Sequence, residues 1–178
     1  MKIKKTIFVI ICLCVALLFQ SCIIDEFMKL DPDEEPKVVA SGSIGNTLTF
    51  DGLEITVNSI SFTDYMGGLD GLFLAEDGNK WCNIVISVKN VSEDTKEFSD
   101  NYNFDLKYKE TYTYNHSFAD YSDFLANVDS ISPLETVENK LICFKVPNEV
   151  NDNANECLTL TVSENSISAK DYAEWKLR

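Results

Sequence analysis

The segment from Lys80 to Asn90 constrains the fold of this chain more than any other stretch of its sequence. Four alternating side chains on one face of the segment are apolar, and the other face is mainly polar; the apolar set is Cys82, Ile84, Ile86 and Val88. A period of two in β-branched residues is typical of a half-buried strand. Turn-forming residues flank the segment on both sides. We therefore predict a central strand of an antiparallel sandwich, against which the other strands pack.

Shorter segments with similar alternation occur along the rest of the chain, separated by turn residues. They lie at 47–50, 53–62, 103–108, 111–114, 137–146, 157–162 and 173–177. Asp51-Gly52 predicts a hairpin turn. The apolar positions change parity after Asn58-Ser59, which predicts a β-bulge there. These patterns predict an all-β, immunoglobulin-like antiparallel β-sandwich of about seven to eight strands.

Two of these segments carry an additional prediction. Residues 141–144 are apolar on both faces, which is typical of a strand that is covered on both sides. The last segment, 173–177, alternates and predicts a short strand. A capped helix that begins at Ser168 is the alternative for this tail.

Residues 1–21 predict a signal peptide. Three lysines precede an unbroken apolar run from Ile7 to Phe19. A membrane-spanning helix requires about 20 apolar residues, so this shorter run has the length of a signal peptide core instead. Residues 17–22 (LLFQSC) resemble the lipobox of bacterial lipoproteins, with a small residue before the cysteine and Phe19 where leucine is usual. The resemblance implies cleavage before Cys22, which then carries a diacylglyceryl thioether and an N-acyl group. An ordinary signal peptide cleaved nearby is the alternative.

Residues 22–43 predict an acidic tether, and residues 44–178 predict the folded domain. The tether combines like charges with prolines in 31–36, which oppose both helix and sheet. A metal site built from these acids is the less favoured alternative. The acidic residues after Cys22 also resemble the surface-export signals of some Gram-negative lipoproteins. Together these features predict a location in the bacterial cell envelope, membrane-anchored and extracytoplasmic, at the outer membrane or the cell surface.

The charge of the chain restricts its partners. Removing residues 1–21, which hold three lysines and no acid, would change the net charge from −14 to −17. Such an acidic protein is a poor ligand for nucleic acid or for anionic lipid headgroups. Membrane lipid is therefore expected to be contacted only through the acylated Cys22.

Pieces of the sequence between Gly45 and Val162 resemble the telokin-like, immunoglobulin-fold domains of unknown function that many bacterial lipoproteins carry. The matching pieces are 45–47 (GNT), 51–57 (DGLEITV), 85–90 (VISVKN), Pro133 with Glu135, and 144–147 (FKVP). Leu134 stands where the family usually has glycine, so this turn departs from the family pattern. The resemblance implies an immunoglobulin fold and an extracytoplasmic location, and it implies no established activity.

No catalytic constellation can be recognised in the sequence, and no metal or cofactor is predicted. His116 is the only histidine and is expected to face solvent in a polar loop. The acids of 64–79 do not follow the pattern of a calcium-binding loop. Calcium binding there, and a carboxylate pair for glycoside hydrolysis, are the alternatives that the residues leave open.

The candidate binding surface lies in the two longest irregular segments, 64–79 and 117–130, because long loops commonly carry function. The first contains four glycines and is predicted to be a long mobile loop. The candidate residues are Asp64, Asp70, Phe118, Tyr121 and Phe124. Tyrosine and phenylalanine recur throughout 102–124. Exposed rings there would stack on sugars, whereas the favoured interpretation is that they belong to the core.

Three cysteines follow Cys22, so at least one of them has no partner within the chain. If Ile142, Phe144 and Val146 point inward, Cys143 points outward. Cys157 points outward in the same way, beside inward Leu158 and Leu160. A hairpin centred near Val150 would bring these two together. The sequence therefore predicts a disulfide between Cys143 and Cys157, with Cys82 a buried free thiol.

These observations predict a non-catalytic protein-binding or spacing module that is anchored in the cell envelope. Its partner is expected to be an envelope protein. A glycan-binding module that uses the aromatic residues of 112–124 is the alternative.

Overall fold

The structure of the protein is a computed structural model, and it describes residues 35–68, 72–98, 101–117, 124–165 and 171–178. Within these ranges the strands are β1 (Lys37–Ser43), β2 (Thr47–Phe50), β3 (Leu53–Thr63), β4 (Asn79–Asn90), β5 (Lys96–Glu97), β6 (Tyr102–Tyr108), β7 (Tyr112–Asn115), β8 (Ser130–Ile131), β9 (Thr136–Pro147), β10 (Leu158–Glu164) and β11 (Asp171–Lys176). The helix α1 spans Asn148–Asp152, and 3-10 turns span Met66–Gly68 and Leu125–Asn127.

The strands form a β-sandwich. One sheet has the order β1-β11-β10-β6-β7 and the other has the order β2-β3-β4-β9, while β5 and β8 form a small ribbon. Among the described strands, β1 and β11 run parallel and the other pairs are antiparallel. The predicted all-β sandwich is therefore confirmed, with one parallel pair that the purely antiparallel prediction did not contain.

The central strand is β4, which pairs with β3 on one side and with β9 on the other. Its four alternating apolar side chains are fully buried in the core between the sheets, as the sequence predicts. The opposing sheet contributes Leu106, Leu158, Leu160 and Trp175 to the same core. Burial of these side chains is the main stabilisation of the fold, at about 1.5–3 kcal/mol for each large apolar residue.

Two further local predictions are confirmed. The register of β3 against β4 shifts between Val57 and Ser59, where the sequence predicts the bulge. Asp51 and Gly52 both have positive φ, at 46° and 73°, in the turn that joins β2 to β3. Positive φ at both central residues is what a tight hairpin with right-handed twist requires.

The C-terminal tail forms strand β11 from Asp171, and Ala173, Trp175 and Leu177 are buried. The strand prediction is thus confirmed for these residues. The alternative helix start at Ser168 lies outside the described residues.

The predicted end of the tether at residue 43 is wrong. Residues 37–43 form β1, which pairs with the C-terminal strand β11. The compact unit begins at Pro36. The signal peptide, Cys22 and the tether up to residue 34 lie outside the described residues.

The strand registers define two ends of the sandwich. β1 starts at Lys37, opposite Asp171, and β10 ends at Glu164, opposite Tyr102. The Tyr102 hydroxyl reaches Asp51 in the β2–β3 turn of the other sheet. We call this the proximal end, because the chain enters the sandwich there.

The opposite end is the distal end. It contains the last residues of β3, the first residues of β4, helix α1 and the C-terminus. Arg178 lies over the ring of Phe62 and donates a hydrogen bond to the Val150 carbonyl, which joins the two sheets there. The segment 64–78 leaves β3 and returns to β4 at this end.

Candidate functional site

The two segments predicted to carry the binding surface meet on the outer face of the β4–β9 pair. Four buried side chains form a second, smaller core there: Met66, Trp81, Phe124 and Cys143. We call this cluster the outer core. It explains why residues 141–144 are apolar on both faces, since β9 is covered by the main core on one side and by the outer core on the other.

Asn83 is a buried polar residue that is hydrogen-bonded to the outer core through Cys143. Its side chain is 4% exposed, although it lies on the polar face of β4. Its amide nitrogen donates to the Thr63 hydroxyl at 2.8 Å, and its oxygen accepts from the Gly67 amide at 3.0 Å. The same oxygen accepts a bond from the Cys143 thiol at 2.9 Å. A buried amide with these partners holds the 3-10 turn 66–68 onto the sheet.

Gly67 allows this close approach. Its φ is +57°, which disfavours side chains, and a Cβ at this position would lie 2.9 Å from the Phe124 ring. The turn 66–68 and the residue Phe124 are therefore packed directly against each other. Phe124 also forms an isolated bridge with Leu141 on β9.

The segment 64–79 is predicted to be a long mobile loop, and its described residues are folded back on themselves. Tyr65 and Leu74 form an antiparallel bridge, and the Ala75 amide donates to the Asp64 carbonyl at 2.7 Å. The Phe73 carbonyl accepts bonds from the Met66 amide at 3.1 Å and from the indole nitrogen of Trp81 at 2.8 Å. These bonds fix the backbone on both strands of a short hairpin.

This fixed backbone presents three consecutive apolar residues to solvent. Leu72 is 62% exposed, Phe73 is 38% exposed and Leu74 is 63% exposed. We call these three residues the apolar tip. Sequence reasoning overlooked them, although an apolar run inside a glycine-rich loop is a signal that could have found them.

Acidic side chains border the apolar tip. Asp64, Glu76 and Asp77 are all exposed. Asp64 accepts a bond from Lys80 at 2.7 Å, and Glu76 lies 3.5 Å from Lys145. We call the three acids the acidic rim. Exposed ion pairs of this kind contribute little to stability, so the rim is free to exchange its partners.

The predicted binding residues differ in how exposed the structure leaves them. Asp64 is exposed and belongs to the acidic rim. Phe124 is only 2% exposed, so its assignment to the binding surface is wrong; it is instead a core residue that pins its segment to β9. Asp70, Phe118 and Tyr121 lie outside the described residues.

The predicted disulfide between Cys143 and Cys157 is wrong. Cys143 is in β9 and Cys157 precedes β10, and these strands belong to different sheets, so they do not form a hairpin. Both cysteines are free, and Cys82 is a free thiol in the main core. Burial raises the pKa of the Cys143 thiol to about 12, which keeps it protonated and unreactive at neutral pH.

A polar cleft of about 470 Å³ lies at the proximal end. Asp51 accepts hydrogen bonds there from Lys96 at 2.8 Å and from Tyr102 at 2.5 Å. Burial acts to raise the pKa of Asp51, but these two hydrogen bonds together with the Lys96 charge hold the pKa below its usual value. Burial and the Asp51 charge raise the pKa of Glu164. The cluster is internally paired, as expected for a group that joins the β2–β3 turn to β6.

The remaining chemistry of the described residues is sparse. His116 is half buried, with Nδ1 3.2 Å from the Phe104 carbonyl, so the expectation that it faces solvent is wrong. No group of three metal-ligating side chains occurs in the described part of the chain. No helix among those residues is long and apolar enough to cross a membrane.

Solved structures similar to this chain share its β-sandwich. An uncharacterized beta-sandwich protein from Clostridium difficile 630 is 24% identical, with a TM-score of 0.56, over 82% of this chain and 98% of that one. The yjhA protein from Bacillus subtilis is 18% identical, with a TM-score of 0.52, over 77% of this chain and 99% of that one. A conserved hypothetical protein from Bacillus anthracis is 14% identical, with a TM-score of 0.51, over 76% and 94% of the two chains. At these identities the likeness establishes the fold alone.

The family comparison covers most of the sandwich. No curated protein matches the sequence significantly. The model of one family, described as Domain of unknown function (DUF4352), matches residues 42–172. Because that match covers well over half of the chain, this protein belongs to the DUF4352 family.

Proposed function

We propose that this protein is an extracytoplasmic lipoprotein, anchored through an acylated Cys22, whose telokin-like, immunoglobulin-type domain is a non-catalytic protein-binding module. The observation that carries this proposal is the apolar tip. It exposes two leucines and a phenylalanine on a hairpin whose backbone is held by hydrogen bonds to β4 and by the outer core.

The energetics of the tip favour binding. Covering a large apolar side chain stabilises a complex by about 1.5–3 kcal/mol before the costs of association. Because the backbone of the hairpin is already fixed, little conformational entropy is lost on binding. Exposed apolar side chains held in one place on an otherwise acidic surface are typical of interaction sites.

The position of the tip supports the same proposal. The chain enters the sandwich at Lys37 at the proximal end, and the segment 64–79 lies at the distal end. The two ends are separated by the length of β4, which has 12 residues and spans about 40 Å. Within the folded domain, the tip therefore lies at the end opposite to the one where the chain enters at Lys37.

A protein partner is favoured over a glycan. Sugar binding commonly uses exposed aromatic rings, and Tyr112 is the exposed ring among the described residues of 112–124. Phe124, one of the rings that the glycan hypothesis would use, is buried. The exposed apolar surface lies instead at Leu72–Leu74, where two of the three side chains are aliphatic.

The anchor leads to the first prediction. A Cys22→Ala variant is expected to lose its tightly held membrane fraction, because acylation needs the thiol and the acidic chain does not bind anionic lipid by charge. Fractionation with high-salt and carbonate washes measures this. A variant that stays with the membrane through both washes would contradict the lipoprotein proposal.

The tip leads to the second prediction. A Leu72→Ser/Leu74→Ser double variant is expected to reduce affinity for envelope protein partners by at least about tenfold, since at least about 1.4 kcal/mol of apolar burial is lost. Quantitative affinity capture with the membrane-anchored chain measures the change. Thermal unfolding should be nearly unchanged, because both side chains are exposed.

The matched control is Leu134→Ser, because Leu134 is an equally apolar residue that is 74% exposed in the β8–β9 turn at the proximal end. This variant should capture the same partners as the wild type. Equal capture by the tip variant and the control variant would refute the proposed binding surface. A hydrolytic activity that one carboxylate substitution abolishes would refute the non-catalytic assignment.

A further inference from the structure

We propose that the partner is a protein surface with an apolar socket for Leu72 and Leu74 that is bordered by lysine or arginine side chains. This inference rests on the proposed function and specifies the chemistry of the partner. It follows from the acidic rim, which lies beside the apolar tip on the same hairpin.

The rim gives the binding surface a definite charge. The three acids of the rim are accompanied by two lysines, Lys80 and Lys145, so the rim keeps a net negative charge. The Asp64 and Glu76 side chains are 74% and 77% exposed, so both remain hydrated beside their lysine partners. Asp77 makes no ion pair within the described residues. The rim is therefore free to accept charged donors from a partner.

A partner that covers the tip must also approach these carboxylates. Removing water from a carboxylate costs several kcal/mol unless a cation or other donor replaces the water. A purely apolar or acidic surface would thus be rejected, whereas a socket with a basic border satisfies both parts of the site. Specificity of this kind depends on rejecting wrong surfaces as much as on binding the right one.

The net charge of the chain also favours a partner with a basic surface. At −14 the protein is repelled by other acidic surfaces, including a bilayer that carries anionic headgroups. It is attracted to basic protein surfaces. Complementary charge mainly accelerates association, while apolar contact slows dissociation.

A photo-crosslinking experiment on the full-length chain in the cells that produce it tests this inference. A photoreactive leucine analogue replaces Leu72 in one sample and Leu134 in the other. The Leu72 sample is expected to form a covalent adduct with an envelope protein, and the Leu134 sample is not. Mass spectrometry of the adduct should place the crosslink in a segment that combines apolar residues with lysine or arginine.

Charge reversal provides the second readout. A Glu76→Lys/Asp77→Lys variant is expected to lower the yield of the Leu72 adduct at least about fivefold, because the association rate falls. A Glu93→Lys/Asp94→Lys variant changes the net charge equally, at an adjacent exposed pair near the proximal end, and should leave the yield nearly unchanged.

The outcomes separate the two proposals. A protein adduct whose yield is the same in both charge variants would overturn the basic border and leave the binding function standing. Adducts of Leu72 with lipid only would overturn the protein socket in favour of membrane contact. Equal adduct formation from positions 72 and 134 would overturn both this inference and the proposed binding surface.

Discussion

Replacing Trp175 with alanine is expected to lower the free energy of unfolding by about 4 kcal/mol, the usual cost of deleting a large buried aromatic side chain. Trp175 is fully buried in β11. It lies opposite Leu160 in β10 and Gly42 in β1, and its indole nitrogen donates to the Asn46 carbonyl at 3.1 Å. The substitution would leave both a cavity and an unpaired carbonyl, at the place where the first and last strands of the sandwich meet.

Chemical denaturation followed by fluorescence or circular dichroism measures this loss. Trp175→Phe should cost less, because most of the ring volume remains and only the indole bond is lost. Leu134→Ala, at an exposed position, should change the free energy of unfolding by less than about 0.5 kcal/mol. If Trp175→Ala proved as mild as Leu134→Ala, β11 would not be part of the core, and the parallel pairing with β1 would be wrong.

Replacing Asn83 with alanine is expected to destabilise the protein by about 3 kcal/mol, because a buried thiol and a half-buried backbone amide both lose their shared acceptor. The Gly67 amide and the Cys143 thiol both donate to the Asn83 oxygen. Their loss should release the 3-10 turn 66–68 from the sheet. We therefore expect two results together, a lower unfolding midpoint and faster hydrogen exchange in residues 64–79.

Asn58→Ala is the matched control for this substitution. Asn58 also uses its side-chain amide, which donates to Ser87 at 2.9 Å and to Asn139 at 3.3 Å, but it is exposed to solvent. Water can replace these bonds, so the cost should be less than about 1 kcal/mol. Unchanged exchange in residues 64–79 of the Asn83→Ala variant would mean that the hairpin is held by something other than Asn83.

The Asn83 experiment also bears on function. The apolar tip binds well only if its backbone is already in place, and the Phe73 carbonyl at its centre depends on Trp81 and Met66 of the outer core. A released hairpin would have to become ordered again on binding. Asn83→Ala should therefore weaken partner capture without altering any residue of the tip, because the cost of ordering is added to each binding event.

The sequence alone determined the central layer of this protein. The alternation in β4, the turn at Asp51-Gly52 and the parity change at Asn58-Ser59 are local signals, because side chains alternate between faces every two residues. The double-sided apolar pattern of 141–144 correctly predicted a strand covered on both faces. The all-β sandwich follows from these signals together.

Only the tertiary structure decided which segments meet across long separations. The pairing of β1 with β11 joins the two ends of the described chain. The sequence from 37 to 43 carries no clean alternation and therefore predicts a tether rather than a strand. The predicted disulfide failed for a related reason. The prediction assumed that the two consecutive strands pair as a hairpin. The chain instead crosses to the other sheet after β9, so Cys143 and Cys157 lie in or next to strands of different sheets.

The candidate site likewise combines features that the sequence predicts with features that only the tertiary structure decides. The sequence indicated the two segments that converge on the outer face of β4 and β9, since their length and irregularity are local properties. It did not reveal which of their aromatic and aliphatic residues would be buried. Phe124 is covered because Gly67 approaches it across the outer core, whereas Leu72 and Leu74 remain exposed because the hairpin turns them away from it. Burial depends on packing between segments distant in the chain, and the pattern within either segment does not encode it.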